Sequence, residues 1–253
     1  LSFGARSVND SVSAGGVVGA STASWRANLL GAWEEGEDTG YPDGTIGGTG
    51  FERGVFGLAA GVRVGAGEIS LDLRRQNTGP SGNPPFPMDI QYFDTDFARL
   101  SWQGPLGGAD LEAAIHYTDV AHLMDNFSLR PSPPPQRTRA TFADATTRGG
   151  EVKLGFAAMG GDWLMGLDGE EVDHHVIITN PNNDAFSVTP FPDVVTRRLG
   201  GFAEWRGGLG RFEGEIGLRI DQHDYEAGEA RLGPALPMGP RGLANAFNAA
   251  ERS

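Results

Sequence analysis

Apolar and polar residues alternate with a period of two through most of this chain. From Asp110 to Thr118, Leu111, Ala113, Ile115 and Tyr117 fall on one side, and Asp110, Glu112, Ala114, His116 and Thr118 on the other. From Glu68 to Arg74, Ile69, Leu71 and Leu73 oppose Glu68, Ser70, Asp72 and Arg74. Phe212, Gly214, Ile216, Leu218 and Ile220 oppose Glu213, Glu215, Gly217 and Arg219, and Val152, Leu154 and Phe156 oppose Glu151 and Lys153. Side chains point to alternate faces along a strand, so each segment predicts a strand with one apolar and one polar face. Eleven such strands are expected, near 1–8, 12–20, 23–35, 51–64, 67–76, 94–104, 109–122, 145–158, 162–176, 194–207 and 210–226.

The connections alternate in length. Ala20-Ser21-Thr22, Gly65-Ala66-Gly67, Pro105 to Ala109, Gly160-Gly161 and Gly207 to Gly210 are short. Gly36 to Gly50, Asn77 to Gln91, Asp125 to Ala143 and Ile177 to Asp193 are long and carry most of the Pro, Asn and Asp. Short turns at one end and long loops at the other predict an all-β fold, a transmembrane antiparallel up-and-down β-barrel of the outer-membrane type. Segments of about ten residues suit a tilted strand crossing a bilayer. Trp25, Trp33, Trp102, Trp163, Trp205, Tyr117 and Phe212 sit near segment ends, where amphipathic rings gather at a membrane interface. A soluble β-sandwich is the alternative, but it does not require the loop alternation. Bacterial barrels of this type close with an even number of strands, so eleven strands predict about half of a larger barrel. Residues after Gly228 read as another long loop.

Composition agrees with glycine-rich β structure: Gly contributes 39 residues, hydrophobic residues make up 39 %, and there is no cysteine. A disulfide or a thiolate metal site within the chain is therefore excluded. The net charge of -13 argues against a nucleic-acid partner, because phosphates would be repelled. Lys153 is the only lysine beside nineteen arginines, which reads as base-composition bias. No apolar run approaches the ~18 residues of a membrane-spanning helix. The chain has no Gly-x-Ser-x-Gly, His-Glu-x-x-His, P-loop or Gly-x-Gly-x-x-Gly motif, so no enzyme class is indicated.

The candidate chemistry lies in His122-Leu123-Met124-Asp125-Asn126-Phe127-Ser128-Leu129-Arg130, where a strand runs into a long loop. An imidazole and a thioether two residues apart share one face of an extended segment. By parity it is the polar face, the one that lines the lumen of a barrel. A borderline nitrogen beside a soft sulfur suits copper and not magnesium or calcium. Other clusters read more plainly. His174 and His175 in Asp173-His174-His175 point to opposite faces and are expected to be polar residues at a strand end. His223 with Asp221 and Asp224 reads likewise. Glu34, Glu35, Glu37 and Asp38 read as a solvated run at the start of a loop. Glu170 and Glu171 diverge on a strand.

Phe86-Pro87-Met88-Asp89-Ile90 with Asp94-Thr95-Asp96, the strand Leu111 to Tyr117, and His122 to Arg130 together resemble the barrel of TonB-dependent outer-membrane receptors. The likeness is greatest to the copper receptors of that family. Asn245 to Arg252 also resembles a barrel loop that precedes a strand. The resemblance implies that residues 1–253 are part of a 22-stranded barrel, with no plug domain in this chain. It implies import of copper, or a copper complex, across the outer membrane of a Gram-negative bacterium, energised by the TonB complex acting through a plug. His122 and Met124 match the barrel half of the metal site, whose other ligands come from the plug. No cofactor in the enzymatic sense is implied. Alternatives are a TonB-dependent receptor for an iron-siderophore or cobalamin, and a passive porin-like or structural barrel.

Overall fold

The computed structural model describes residues 1–251. Eleven strands make one antiparallel sheet in which each strand pairs with the next in chain order. They are β1 (Ser2–Arg6), β2 (Ser11–Ser21), β3 (Trp25–Gly36), β6 (Phe51–Val64), β7 (Gly67–Thr78), β8 (Asp89–Leu106), β9 (Ala109–Asp125), β10 (Ala140–Ala158), β11 (Gly161–Thr179), β12 (Ser187–Leu209) and β13 (Phe212–Glu226). A small hairpin, β4 (Thr39–Tyr41) with β5 (Gly44–Ile46), forms within the loop between β3 and β6. The sheet is open, with β1 and β13 at its two edges. This is the up-and-down antiparallel wall of a partial barrel.

The ladders assign every side chain to a face. On one face Trp102 opposes Ala113, which opposes Val152, and Leu100 opposes Ile115. On the other, Arg99 opposes His116 and Gln103 opposes Glu112. The apolar face is uncovered: Ile115 is 62 % exposed, Leu167 65 % and Leu199 62 %. The buried apolar side chains among the described residues are Ala114 and Ala143 alone. A sandwich would bury this face against a second sheet, so the sandwich alternative does not hold.

The uncovered face is banded. Starting from the short turns it is apolar up to Leu73, Trp33 and Tyr117; the next residues on the same face are Arg75, Glu35 and Asp119. Trp25 to Trp33 along β3 is about 27 Å at ~3.4 Å per residue, or somewhat less once the strand is tilted, close to the ~25 Å apolar band of an outer-membrane barrel. Tyr117 and Trp33 thus mark the upper edge of the band and not the ends of their strands.

Several short turns contain a residue with positive φ, including Gly65 (63°), Gly107 (65°), Met159 (54°), Gly160 (76°) and Gly210 (67°). Trp102 lies over Gly67, where a Cβ would sit 2.4 Å from the ring. An aromatic laid across a strand glycine restores packing that the glycine lacks. Gly67→Val is expected to push the ring away and to cost about 1–3 kcal/mol, measured as a lowered urea midpoint with altered tryptophan emission.

Three features depart from the sequence expectations. All strands of the large sheet but β1 are longer than ten residues: β8 starts at Asp89, β10 at Ala140 and β12 at Ser187, so the long loops give up residues to the ladder. Above the apolar band polar and apolar residues are mixed on both faces, so alternation does not mark where pairing stops. The tail is helical: α1 runs from Met238–Glu251, where a loop was expected. Ala244, Ala246, Ala249 and Ala250 favour helix, and Pro240 falls in the first turn, where proline is tolerated. Asn248 ties α1 back by donating to the Ala230 carbonyl (3.0 Å) and accepting its N–H (2.7 Å). The stretch Asn245 to Arg252 is accordingly helix through Glu251, not a barrel loop; Arg252 lies outside the described residues. Finally, the acidic run is divided. Glu34 and Glu35 are in β3 on opposite faces, and Glu34 is bound by Arg53 (2.9 Å).

Candidate metal site at the long-loop end

His122 and Met124 occupy the last turn of pleat in β9, on the polar face and above the apolar band. His122 opposes Phe93 on β8 and Ala143 on β10; Met124 opposes Ile90 and Thr141. A bulge at Gln91 shifts the register of β8 between Ile90 and Tyr92. That shift brings Ile90 opposite Met124, while Phe93 keeps the register of the rest of β8 and stacks on His122 at 5.2 Å with an 8° interplanar angle. Burial lowers the His122 pKa below the usual histidine range, and the charge of His174 lowers it further. Both effects favour the neutral ring, which carries the lone pair a metal needs.

A second sulfur stands nearby. The Thr141 hydroxyl donates to Met88 Sδ (3.3 Å), and Thr141 is the ladder partner of Met124. Met88 comes from the segment leading into β8, far from Met124 in sequence. Spacing alone gave no sign of it; only the register of β8, β9 and β10 brings the two together.

The loop that carries Met88 is pinned by a buried ion pair. Asp89 is 1 % exposed. Arg130 donates from Nε to Asp89 Oδ2 (2.6 Å) and from Nη2 to Oδ1. Its Nη1 reaches the Phe86 carbonyl (2.9 Å) and its Nη2 the Asn83 carbonyl (3.3 Å), so the loop 79–88 wraps around the guanidinium. Asp89 Oδ1 also accepts the Asn83 N–H (2.8 Å). Asp125 caps the turn after Met124 by accepting the N–H groups of Phe127 (3.0 Å) and Ser128 (2.8 Å). Neighbouring loops join in: Gly82 N–H to Gly50 O (2.9 Å), Asn180 Nδ2 to Pro135 O (2.9 Å), and the Arg139 guanidinium 3.9 Å above the Phe186 ring. The long loops form one knitted cluster around the His122–Met124 end of the sheet.

The Arg130 guanidinium holds the Asp89 carboxyl below the usual carboxylate range. A carboxyl with a lowered folded pKa adds stability above its unfolded value, near 3.9, and loses that stability as pH falls through the folded value. Amide exchange in 79–88 and 126–139 is therefore expected to be constant from pH 7 to about 5 after correction for intrinsic rates, and to accelerate below about pH 4.

The other sequence candidates are separated. His174 shares the polar face with His122, while His175 faces away and lies 2.8 Å from Asp193. His223 is on the polar face and stacks on Tyr225 (6.4 Å). Asp221 is taken up by Arg219 and Arg198, and Asp224 is on the opposite face. Glu170 lies 3.6 Å from His116 and Glu171 binds Arg197 (2.7 Å) on the other face. Asp38 is not simply solvated: it accepts the N–H groups of Thr49 (2.6 Å) and Gly50 (2.9 Å), and the Thr49 bond chiefly holds its carboxyl below the usual range. Among the described residues no group of three or more His, Cys, Asp or Glu is placed to hold a metal ion. A metal held here by this chain would need methionine sulfur.

The chain is similar in structure to the solved copper transporter OprC, with a TM-score of 0.74 at 19 % identity, over 89 % of this chain and 39 % of that chain. It is also similar to FpvA of P. aeruginosa, solved bound to heterologous pyoverdines with iron, with a TM-score of 0.63 at 12 % identity, over 91 % of this chain and 38 % of that chain. Both neighbours are TonB-dependent receptors. The likeness shows the fold alone: this open antiparallel sheet has the architecture of part of either structure. The chain spans about two fifths of the length of either one. No protein-family model and no curated protein matches the chain.

Proposed function

We propose that residues 1–253 are part of the barrel domain of an outer-membrane TonB-dependent receptor that imports copper or a copper complex. The observation that carries this is the placement of His122 and Met124 side by side on the polar face, above the apolar band, with Met88 Sδ against the ladder partner of Met124. In a closed barrel that face lines the lumen, and the long-loop end is the extracellular mouth. An incoming ion meets these donors first. The likeness to a copper transporter supports the choice of metal. Outer-membrane lipid surrounds the apolar band, and the TonB complex acts through a plug.

A second reading is a receptor for a ferric siderophore, favoured by the likeness to FpvA, solved with an iron–pyoverdine complex. There the knitted loops carry specificity and His122–Met124 are incidental. Uptake by cells expressing the full-length protein separates the two. Radiolabelled copper accumulating above an empty-vector control is the expected result. Accumulation of labelled ferric siderophore or cobalamin, with copper at background, overturns the copper reading.

A further inference from the structure

The polar face above the band has an approximate symmetry about β10. On one side, His122 of β9 stacks on Phe93, which follows a bulge in β8. On the other, His174 of β11 stacks on Phe191 (4.8 Å, 28°), next to a bulge in β12. That second bulge includes Asp193, whose φ of 48° is in the left-handed region. Bulges re-aim side chains and recur beside functional sites. In β12 the bulge carries Phe191 onto the face of His174, whereas Phe93 meets His122 in the unshifted register of β8. Among the described residues no hydrogen bond to a nitrogen of His122 or His174 is made. Both imidazoles are half-buried, and their nitrogens, not taken up by neighbouring side chains, are open to a ligand.

Between them β10 presents only Ala143 and Ala145 on this face, opposite His122 and His174 respectively. Ala143 is 4 % exposed, so the flanking side chains close over it. Next-but-one strands lie about 9–10 Å apart, and one residue pair along the strand adds about 7 Å. The two Cα atoms are then about 12 Å apart, a span that two histidine arms and two metal–nitrogen bonds of about 2 Å can bridge.

We propose that His174 is a third ligand, closing with His122 over the Ala143–Ala145 trough to hold the ion that Met124 also binds. The set is then two imidazoles and a thioether, borderline and soft donors that select copper over hard cations. This rests on the reading of His122 and Met124 as metal ligands.

The test is Cu(I) titration and copper X-ray absorption on the full-length protein in detergent. Two imidazoles per copper are expected in the unaltered protein and one in His174→Ala, with Kd weakened tenfold or more. His174→Met is expected to recover affinity, with one more sulfur in the copper shell. His175→Ala, on the opposite face, is expected to bind as the unaltered protein does. A single imidazole in the unaltered protein with unchanged Kd in His174→Ala overturns the role of His174 and leaves the His122–Met124 reading standing. Unchanged Kd in His122→Ala with Met124→Ala overturns that reading and this inference with it.

Discussion

Arg130→Ala is expected to destabilise the outer loop cluster by about 3–5 kcal/mol, because it leaves the buried Asp89 carboxylate without its partner. Asp89 is 1 % exposed, and Arg130 meets both of its carboxylate oxygens. Removing the guanidinium also strips the Asn83 and Phe86 carbonyls of donors. The Asn83 N–H bond to Asp89 remains, but it does not neutralise the charge. The loss is local. The ladder from β6 to β12 does not involve Arg130, so strand content is expected to hold while 79–88 and 126–139 become open to protease. Arg130→Lys is expected to recover only part, since a single ammonium cannot reproduce the fork that grips two oxygens and two carbonyls. Limited proteolysis with mapping of the cut sites checks this; cleavage unchanged in Arg130→Ala contradicts it.

The strands were legible because one face meets an apolar environment and the other does not. Leu111, Ala113, Ile115 and Tyr117 show that alternation without help from any partner, and β9 forms where they predict. Strand ends were less legible, for the same reason. Above Tyr117 both faces mix polar and apolar residues (Thr118, Val120 and His122 on one, Asp119, Ala121 and Leu123 on the other), so the ladder continues to Asp125 with no alternation to announce its end. The helix α1 was missed because Gly239, Pro240 and Gly242 sit at its start, residues that read as turn. The site was legible in part. His122 and Met124 are near neighbours in sequence, so parity alone placed them on one face. Met88 reaches that face through the bulge at Gln91 in β8, and His174 through the unbroken pairing of β11 with β10, long-range pairings that spacing does not reveal. His174 also stood beside His175, which masked it: as a pair they diverge, yet His174 alone faces His122.

Replacing both His122 and Met124 by alanine is expected to have the largest effect on function. In the proposed site each would supply one donor, and donors held on the same strand share one pre-set geometry, so removing both takes away the pair that the chain pre-orients. A retained Met88 or His174 leaves too few donors in this chain to replace them. The loops should be unaffected, because neither residue takes part in the Asp89–Arg130 or Asp125 hydrogen bonds. The direct measurement is Cu(I) titration of the full-length protein, purified in detergent, against the double variant His122→Ala with Met124→Ala. Binding weakened a hundredfold or more, with the proteolysis pattern of the loops unchanged, is the result predicted. Copper bound by the double variant as tightly as by the unaltered protein would contradict the account.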